Sequence, residues 1–216
     1  MQYGMEVEFF LTKRNMLVFP KDYGFGHDGY PLIGELRSEP HTDPYKMVGE
    51  VMGLLAKARH KAAYAGLRLH LQPHFLLTDA MKVEVMRRPE LNKGAVTSLN
   101  LYEYDDKLDP NFAHAGIHIH FSGRKQVVHY GRCEHCGHVP YESITFSPSP
   151  IPEIIKRLDR AFVKEISKAE RVAGEYEMKS YGFEYRSLPN NTDLEKIAKV
   201  LDQECGDDML SRKAVR

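Results

Sequence analysis

Four strand-like segments each carry two polar side chains at a spacing of two, and this pattern constrains the fold most. The pairs are Glu6 and Glu8, Glu35 and Arg37, His118 and His120, and Glu184 and Arg186. Because successive side chains of a β-strand point to opposite faces, both members of each pair share one face. The sequence therefore predicts a sheet that carries these polar groups on one face.

Each pair taken alone also fits a solvated strand, which alternates charged and apolar residues. The set is more specific, because it consists of carboxylate, imidazole and guanidinium groups with almost no lysine or threonine. Carboxylate oxygens and imidazole nitrogens suit Mg²⁺ or Mn²⁺, and arginine donates paired hydrogen bonds to phosphate or carboxylate. Such a combination is typical of phosphoryl chemistry, where negative charge spreads over three phosphate oxygens.

The remaining pattern predicts an α+β fold, with an antiparallel sheet and helices packed on one face. Further strands are expected at residues 67–71 and 95–104, whereas residues 75–92 are ambiguous. Helices are expected at three places: residues 44–65, with Asp43 as N-cap and Gly66 as the end signal; residues 154–169, after a Ser-Pro linker at 147–152; and residues 192–204, with Thr192 or Asn191 as cap.

Length and charge limit the classes of function. The chain has 216 residues and a formal net charge of zero, which fits a single domain over residues 1–216 and gives no overall field for nucleic acid. It has no apolar run long enough to cross a membrane and no N-terminal signal pattern. Three cysteines, an odd number, favour a reducing compartment, so we expect a cytoplasmic protein.

Four motifs occur in a fixed order along most of the chain, from about residue 4 to residue 190. They are Gly4-Met5-Glu6-Val7-Glu8-Phe9-Phe10, Asp28-Gly29 with Gly34-Glu35-Leu36-Arg37, Gly116-Ile117-His118-Ile119-His120, and Tyr181-Gly182-Phe183-Glu184-Tyr185-Arg186-Ser187-Leu188-Pro189. This series resembles the bacteriophage-type carboxylate–amine ligases of the glutamine synthetase and glutamate–cysteine ligase superfamily. The resemblance implies a glutamine-synthetase-like sheet and, for a phage protein, the host cytoplasm.

The resemblance also implies roles for individual residues. In that superfamily, strand carboxylates and a histidine hold divalent metals around the phosphates of ATP. Carried over by motif, the Mg²⁺ or Mn²⁺ ligands are Glu6, Glu8, Glu35, His118 and Glu184, with His120 as an alternative to His118. The residues expected to contact phosphate or the substrate carboxylate are Arg37 and Arg186. Relatives carry an arginine shortly before the last motif, and this chain has Glu177 at that position. Lys179 is therefore the alternative cation for the role of that arginine.

The implied reaction has two steps. A substrate carboxylate attacks the γ-phosphorus of ATP to give an acyl phosphate, and an amine then displaces phosphate to form an amide. Arg37, Arg186 and Glu8 are the residues expected to serve catalysis. The sequence names neither substrate, so small-molecule, peptide and protein substrates all stay open. Superfamily members often assemble, which makes a homo-oligomer a further expectation.

A separate group of cysteine and histidine residues lies between the third and fourth motifs. His129, Cys133, Cys136 and His138 have the ligand types and short spacings of a zinc knuckle, here an insertion at residues 124–142. The zinc would be structural, with all four positions filled by protein. The alternative is a surface hairpin with two free thiols.

Two other functions compete with the ligase. The same carboxylates and histidines fit a metal-dependent hydrolase or oxygenase, which would not depend on ATP. A non-catalytic binding module built around the zinc knuckle is the third hypothesis. Zero net charge and the lack of an aromatic and basic stripe make nucleic acid an unfavourable partner for it.

Overall fold

The structure is a computed structural model of the chain. It describes residues 1–27, 29–92, 98–104, 109–122, 124–127, 142–145 and 150–205, with the backbone alone at 124–127 and 142–145.

These residues form strands and helices in a mixed order. The strands are β1 (Gln2–Lys13), β2 (Met16–Leu17), β3 (Ile33–Arg37), β4 (Arg68–His70), β5 (His74–Leu76), β6 (Leu99–Asn100), β7 (Phe112–His114), β8 (Gly116–Ser122), β9 (Arg124–Val127), β10 (Glu142–Thr145), β11 (Glu175–Lys179) and β12 (Gly182–Pro189). The α-helices are α1 (Pro44–Tyr64), α2 (Asp79–Met86), α3 (Ile151–Ala161), α4 (Val163–Lys168) and α5 (Leu194–Cys205). Short 3₁₀ helices cover Pro20–Tyr23 and Pro89–Leu91.

The main sheet has eight strands, and all of its described pairings are antiparallel. Its order is β2-β1-β8-β12-β11-β6, and β3 and β4 also pair with β1. Two smaller two-stranded sheets pair β5 with β7 and β9 with β10. The long β1 therefore lies between β8 and β3, and these are the strands that carry three of the four polar pairs.

The principal core lies on one face of this sheet. Alternate residues of β1, β8 and β12, among them Met5, Val7, Ile119 and Tyr185, are buried there against apolar residues of α1, α3, α4 and α5. The intervening side chains of the same strands face the other way, which leaves the opposite face to the polar pairs. The predicted antiparallel sheet with packed helices is confirmed at this level.

One helix departs from the predicted arrangement. Val85 of α2 packs in a second cluster with Phe10, Leu17 and Leu32, and Phe10 shares its strand face with Glu6 and Glu8. The expectation that all helices lie on one face is therefore wrong for α2. Its length of eight residues and weak apolar stripe explain why residues 75–92 gave no clear pattern.

The helix ends follow the expected chemistry in one case and differ in two. Asp43 caps α1 by accepting hydrogen bonds from the backbone N–H groups of Tyr45 and Lys46, and Gly66 follows the helix with a φ of 67°. The helix expected at 154–169 is interrupted at Phe162, which separates α3 from α4. Asp193, rather than Thr192 or Asn191, accepts from the first N–H groups of α5.

The predicted strand at 95–104 is shortened to β6 in the described residues, because Leu101 and Tyr102 already form a turn. None of the described helices combines the length and the apolar composition needed to cross a membrane.

Candidate metal centre

Strand register brings the polar residues of all four motifs together. On β1, Glu6 lies opposite both Arg37 of β3 and His118 of β8, while Glu8 lies opposite Glu35. The next strand, β12, places Glu184 opposite His120. The site therefore collects its side chains from four neighbouring strands. We call the six predicted metal ligands the carboxylate–histidine cluster: Glu6, Glu8, Glu35, His118, His120 and Glu184.

Burial distinguishes this cluster from a solvated sheet face. Glu184 is 1% exposed, His118 is 3% and Glu8 is 4%, while Glu35 and Glu6 reach only 7% and 8%. Burying ionised carboxylates is costly unless cations or hydrogen bonds compensate them. The arrangement must therefore bring positive charge close to these carboxylates.

Three members of the cluster have the spacing of a metal site. Glu6, His118 and Glu184 each offer one ligand atom, and these atoms lie within 4.8 Å of one another. Nδ1 of His118 is 3.0 Å from Oε1 of Glu184 and 3.5 Å from Oε2 of Glu6. Adjacent ligands of an octahedral Mg²⁺ at its usual bond lengths lie about 2.9 Å apart, so the contacts fit such an ion.

Two imidazole nitrogens in the cluster face carboxylates without a well-aligned hydrogen bond to any residue that the structure describes. Nδ1 of His118 and Nε2 of His120 are buried, and neither makes a hydrogen bond of acceptable geometry with a described residue. Each nevertheless lies 3.0 Å from a carboxylate oxygen, of Glu184 and Glu6 respectively. Nitrogen and carboxylate oxygen facing one another in this way are a donor set that fits Mg²⁺ or Mn²⁺.

Glu8 is held at the edge of the cluster by the backbone. Its Oε2 accepts a hydrogen bond of 2.5 Å from the N–H of Gly116, and its Oε1 lies 3.8 Å from Nε2 of His118. The imidazole of His118 is thus placed between Glu8 on one side and Glu6 and Glu184 on the other.

The second histidine is oriented by a residue that the sequence did not single out. Nδ1 of His120 forms a hydrogen bond of 2.6 Å with the hydroxyl of Tyr181, in the turn between β11 and β12. A hydrogen bond at one ring nitrogen fixes the tautomer and the orientation of a metal-binding histidine. With Nδ1 engaged, it is Nε2 of His120 that faces Glu6.

Two arginines and a lysine border the cluster. Arg37 pairs with Glu6 at 3.0 Å and with Glu35, and its side chain is 66% exposed. Arg186 pairs through Nη1 with Glu184 at 2.6 Å and with Glu177 at 3.1 Å. Arg37 therefore lies on the side of the cluster that is open to solvent, whereas the side chain of Arg186 is mostly buried, with 17% of it exposed.

Lys179 completes a closed ring of charges with Arg186. Its Nζ lies 2.6 Å from Glu177 and 3.0 Å from Glu184, which are also the two partners of Arg186. Glu177, where relatives were expected to have arginine, thus bridges the two cations. A β-bulge in β12 between Tyr185 and Leu188 contains Arg186, and bulges commonly redirect a side chain.

The cluster shifts the pKa values of its own members. Burial would raise the pKa of Glu184, but the neighbouring imidazoles and Arg186 outweigh it and lower that pKa to about 2. For Glu6, burial is likewise outweighed by His118 and His120, and its pKa falls well below the usual range. Burial would lower the pKa of His118, whereas the carboxylates of Glu8, Glu184 and Glu6 raise it to about 9. The carboxylates therefore stay ionised and attract cations, and without metal His118 is protonated at neutral pH, so a metal ion bound at this nitrogen would displace the proton.

The structure thus brings all the predicted Mg²⁺ ligands onto one buried face, with Arg37, Arg186 and Lys179 beside them. Tyr181 and Gly116 were missed as site residues, although both stand within the quoted motifs. The predicted zinc ligands His129, Cys133, Cys136 and His138 lie outside the described residues.

Comparisons with protein-family models, with curated proteins and with solved structures find no match to this chain.

Proposed function

We propose that this chain is a magnesium- and ATP-dependent ligase that joins a carboxylate to an amine through an acyl phosphate. The observation that carries the proposal is the buried carboxylate–histidine cluster with three cationic side chains at its rim. Buried carboxylates next to arginines suit a nucleoside triphosphate with its metal ions bound. They suit the metal ions alone, or the triphosphate alone, less well.

The ligand set supports divalent metal binding at this position. Glu6, His118 and Glu184 would hold one Mg²⁺ or Mn²⁺, and Glu8, Glu35 and His120 supply further donors nearby. Bound there, such ions would neutralise charge on the phosphate oxygens during transfer of the γ-phosphoryl group.

The cationic side chains bind and orient the substrates. Arg37 and Arg186 present planar donors that suit two oxygens of a phosphate or carboxylate, and Lys179 adds a point charge. The substrate carboxylate attacks the γ-phosphorus, the bond to the β-phosphate oxygen breaks, and ADP leaves. The amine then attacks the acyl carbon, the bond from that carbon to the phosphate oxygen breaks, and phosphate departs with the proton that the amine loses. The chain forms no covalent bond to the substrate, and its contribution is positioning and charge stabilisation.

The test follows ¹⁸O from the carboxylate of the substrate to the phosphate that is released. The purified protein is incubated with Mg-ATP, hydroxylamine as a general amine acceptor, and pools of ¹⁸O-labelled amino acids or peptides. The mechanism requires ADP release that depends on the carboxylate, a hydroxamate product, and ¹⁸O in the phosphate. ADP release without ¹⁸O transfer would contradict the acyl phosphate.

A matched pair of variants connects this activity to the cluster. Glu8→Gln keeps an oxygen that accepts from Gly116 but loses the charge, so we expect turnover to be abolished in a folded protein. Glu195→Gln makes the same change on the exposed face of α5 and serves as the control. Normal turnover in Glu8→Gln would refute the assignment of Glu8.

The same preparation separates the competing functions. Binding of Mn²⁺ with no effect of ATP would favour the metal-dependent hydrolase or oxygenase. Binding of neither Mn²⁺ nor Mg-ATP, together with one tightly bound zinc, would favour the non-catalytic module.

A further inference from the structure

A cavity of about 540 Å³ lies on the helix side of the molecule, formed by α3, α4 and the edge of the sheet near β6 and β11. None of its lining residues belongs to the carboxylate–histidine cluster or its bordering cations. Its walls are Tyr102, Lys156, Asp159, Arg160, Val163, Ile166, Ser167, Arg171 and Ala173.

Two of the lining cations have no ionic partner in the described part of the chain. Lys156 and Arg160 are exposed and stand four residues apart on α3, so their side chains project from one side of that helix. Neither forms an ion pair with a described residue. Burial and Asp159 raise the pKa of the Tyr102 hydroxyl to about 12, and the positive charge of nearby Arg160 counteracts part of that rise.

The third cation, Arg171, has an unused donor. Its side chain is nine-tenths buried, and one guanidinium nitrogen donates to the carbonyl oxygen of Arg186 at 2.5 Å while lying 3.6 Å from Glu175. Its Nε is buried with no hydrogen-bond partner among the described residues. A buried N–H without an acceptor is unfavourable, which makes the Nε–H of this lining residue a sensitive reporter of changes in the cavity.

The only carboxylate among the lining residues is already engaged. Oδ2 of Asp159 accepts from the hydroxyl of Tyr102 at 2.8 Å, and Oδ1 accepts from Tyr185 at 2.7 Å and from the N–H of Gly174 at 3.2 Å. When Glu175, which lies 3.6 Å from Arg171, is counted with Asp159, the three lining cations exceed the carboxylates beside them by one.

We propose that this cavity is a binding site for a small phosphate monoester. A phosphate monoester carries a charge of about −1.5 to −2 at pH 7, so it is attracted by Lys156 and Arg160, which form no ion pair with a described residue. The guanidinium groups of Arg160 and Arg171 suit its oxygens, and Ser167 offers a hydroxyl donor. Val163, Ile166 and Ala173 give the cavity apolar wall for the organic part of the ester. The volume lies within the range of small-molecule sites.

The experiment titrates the full chain with phenyl phosphate and with inorganic phosphate, in EDTA and at constant ionic strength. Binding is followed through the ¹⁵N-labelled Nε–H signal of Arg171, which is assigned by its loss in Arg171→Lys. Saturable shifts are expected with both probes, and the phenyl ester should bind more tightly because it also contacts the apolar wall.

Variants determine where the probe binds. The double variant Lys156→Gln/Arg160→Gln changes only exposed side chains and should weaken binding by about tenfold or more. Lys164→Gln, an exposed lysine on α4 outside the cavity, should leave the dissociation constant within about twofold. A response that sodium chloride reproduces, or equal binding by the double variant, would overturn the proposal. So would a loss of binding in Arg37→Gln, because the phosphate would then lie at the metal centre.

Discussion

Nδ1 of His118 lies 3.0 Å from Oε1 of Glu184, deep in the sheet face, yet the two atoms make no hydrogen bond of acceptable geometry. The strands that carry them are neighbours, and Glu6 of β1 approaches from the opposite side of β8. Three ligand-type atoms thus converge on one point from three strands. Divalent-metal binding at that point is the basis of the predictions that concern this site.

Replacing Glu184 by glutamine should weaken metal binding. Glutamine has nearly the same shape but no charge, so the point between Glu6, His118 and residue 184 loses a strong oxygen ligand. We expect the dissociation constant for Mn²⁺ to rise by about tenfold or more, measured by titration calorimetry. The exposed Glu195→Gln variant is the control, and an unchanged Mn²⁺ affinity in Glu184→Gln would argue against this ligand set.

Removing the hydroxyl of Tyr181 tests whether His120 needs to be oriented. Tyr181→Phe deletes the 2.6 Å hydrogen bond to Nδ1 of His120 and leaves the ring in place. We expect Mn²⁺ affinity to fall about tenfold while the free energy of unfolding changes by only about 1 kcal/mol. If His120 takes no part in binding metal, stability will drop slightly and Mn²⁺ affinity will stay the same.

Asp159 is predicted to be a structural residue of the helix side. Its carboxylate accepts from Tyr102, Tyr185 and the N–H of Gly174, and Tyr185 is fully buried. Asp159→Ala leaves these donors unsatisfied, so we expect a loss of about 2–4 kcal/mol in the free energy of unfolding. Urea denaturation measures it, with the exposed Asp202→Ala on α5 as the control. Equal stability of the two variants would contradict this role.

Cys205 should be unreactive in the folded protein. It is fully buried at the end of α5, and burial raises the pKa of its thiol from 9.0 to about 12. Since this shift lowers the thiolate fraction about a thousandfold at pH 8, alkylation should be fast only in denaturant. The neutral thiol is favoured by folding, so its contribution to stability is complete below pH 9 and is lost as the pH rises towards 12.

Mass spectrometry of iodoacetamide-treated protein follows Cys205 separately from Cys133 and Cys136. Rapid modification of Cys205 at pH 8 under native conditions would show that the thiol is not buried as described.

The sequence was sufficient to predict that these polar side chains share one sheet face, because strand geometry is local. A spacing of two places Glu6 with Glu8, and His118 with His120, on one face whatever the rest of the chain does. The cap at Asp43 and the end signal at Gly66 are likewise local, and both were predicted correctly. The order of strands, by contrast, was needed to show that Glu6 lies between Arg37 and His118.

Features that depend on distant parts of the chain were not predictable. Gly116 donates to Glu8 across 108 residues, and Tyr181 reaches His120 across 61, so no short pattern records either contact. The strand β11 was missed although its Glu-Tyr-Glu-Met-Lys sequence alternates polar and apolar residues, because a run of five residues with two apolar positions is a weak signal. The break at Phe162 was missed because the apolar stripe continues through α3 and α4.

A crystal structure with Mn²⁺ and a non-hydrolysable ATP analogue tests the central claim most directly, because anomalous scattering locates the metal. We expect a Mn²⁺ peak within about 2.2 Å of ligand atoms from Glu6, His118 and Glu184, with phosphate oxygens of the analogue completing its coordination next to Arg37 or Arg186. Saturating Mn²⁺ that gives no peak between these three residues, or an analogue bound on another surface, would contradict the account.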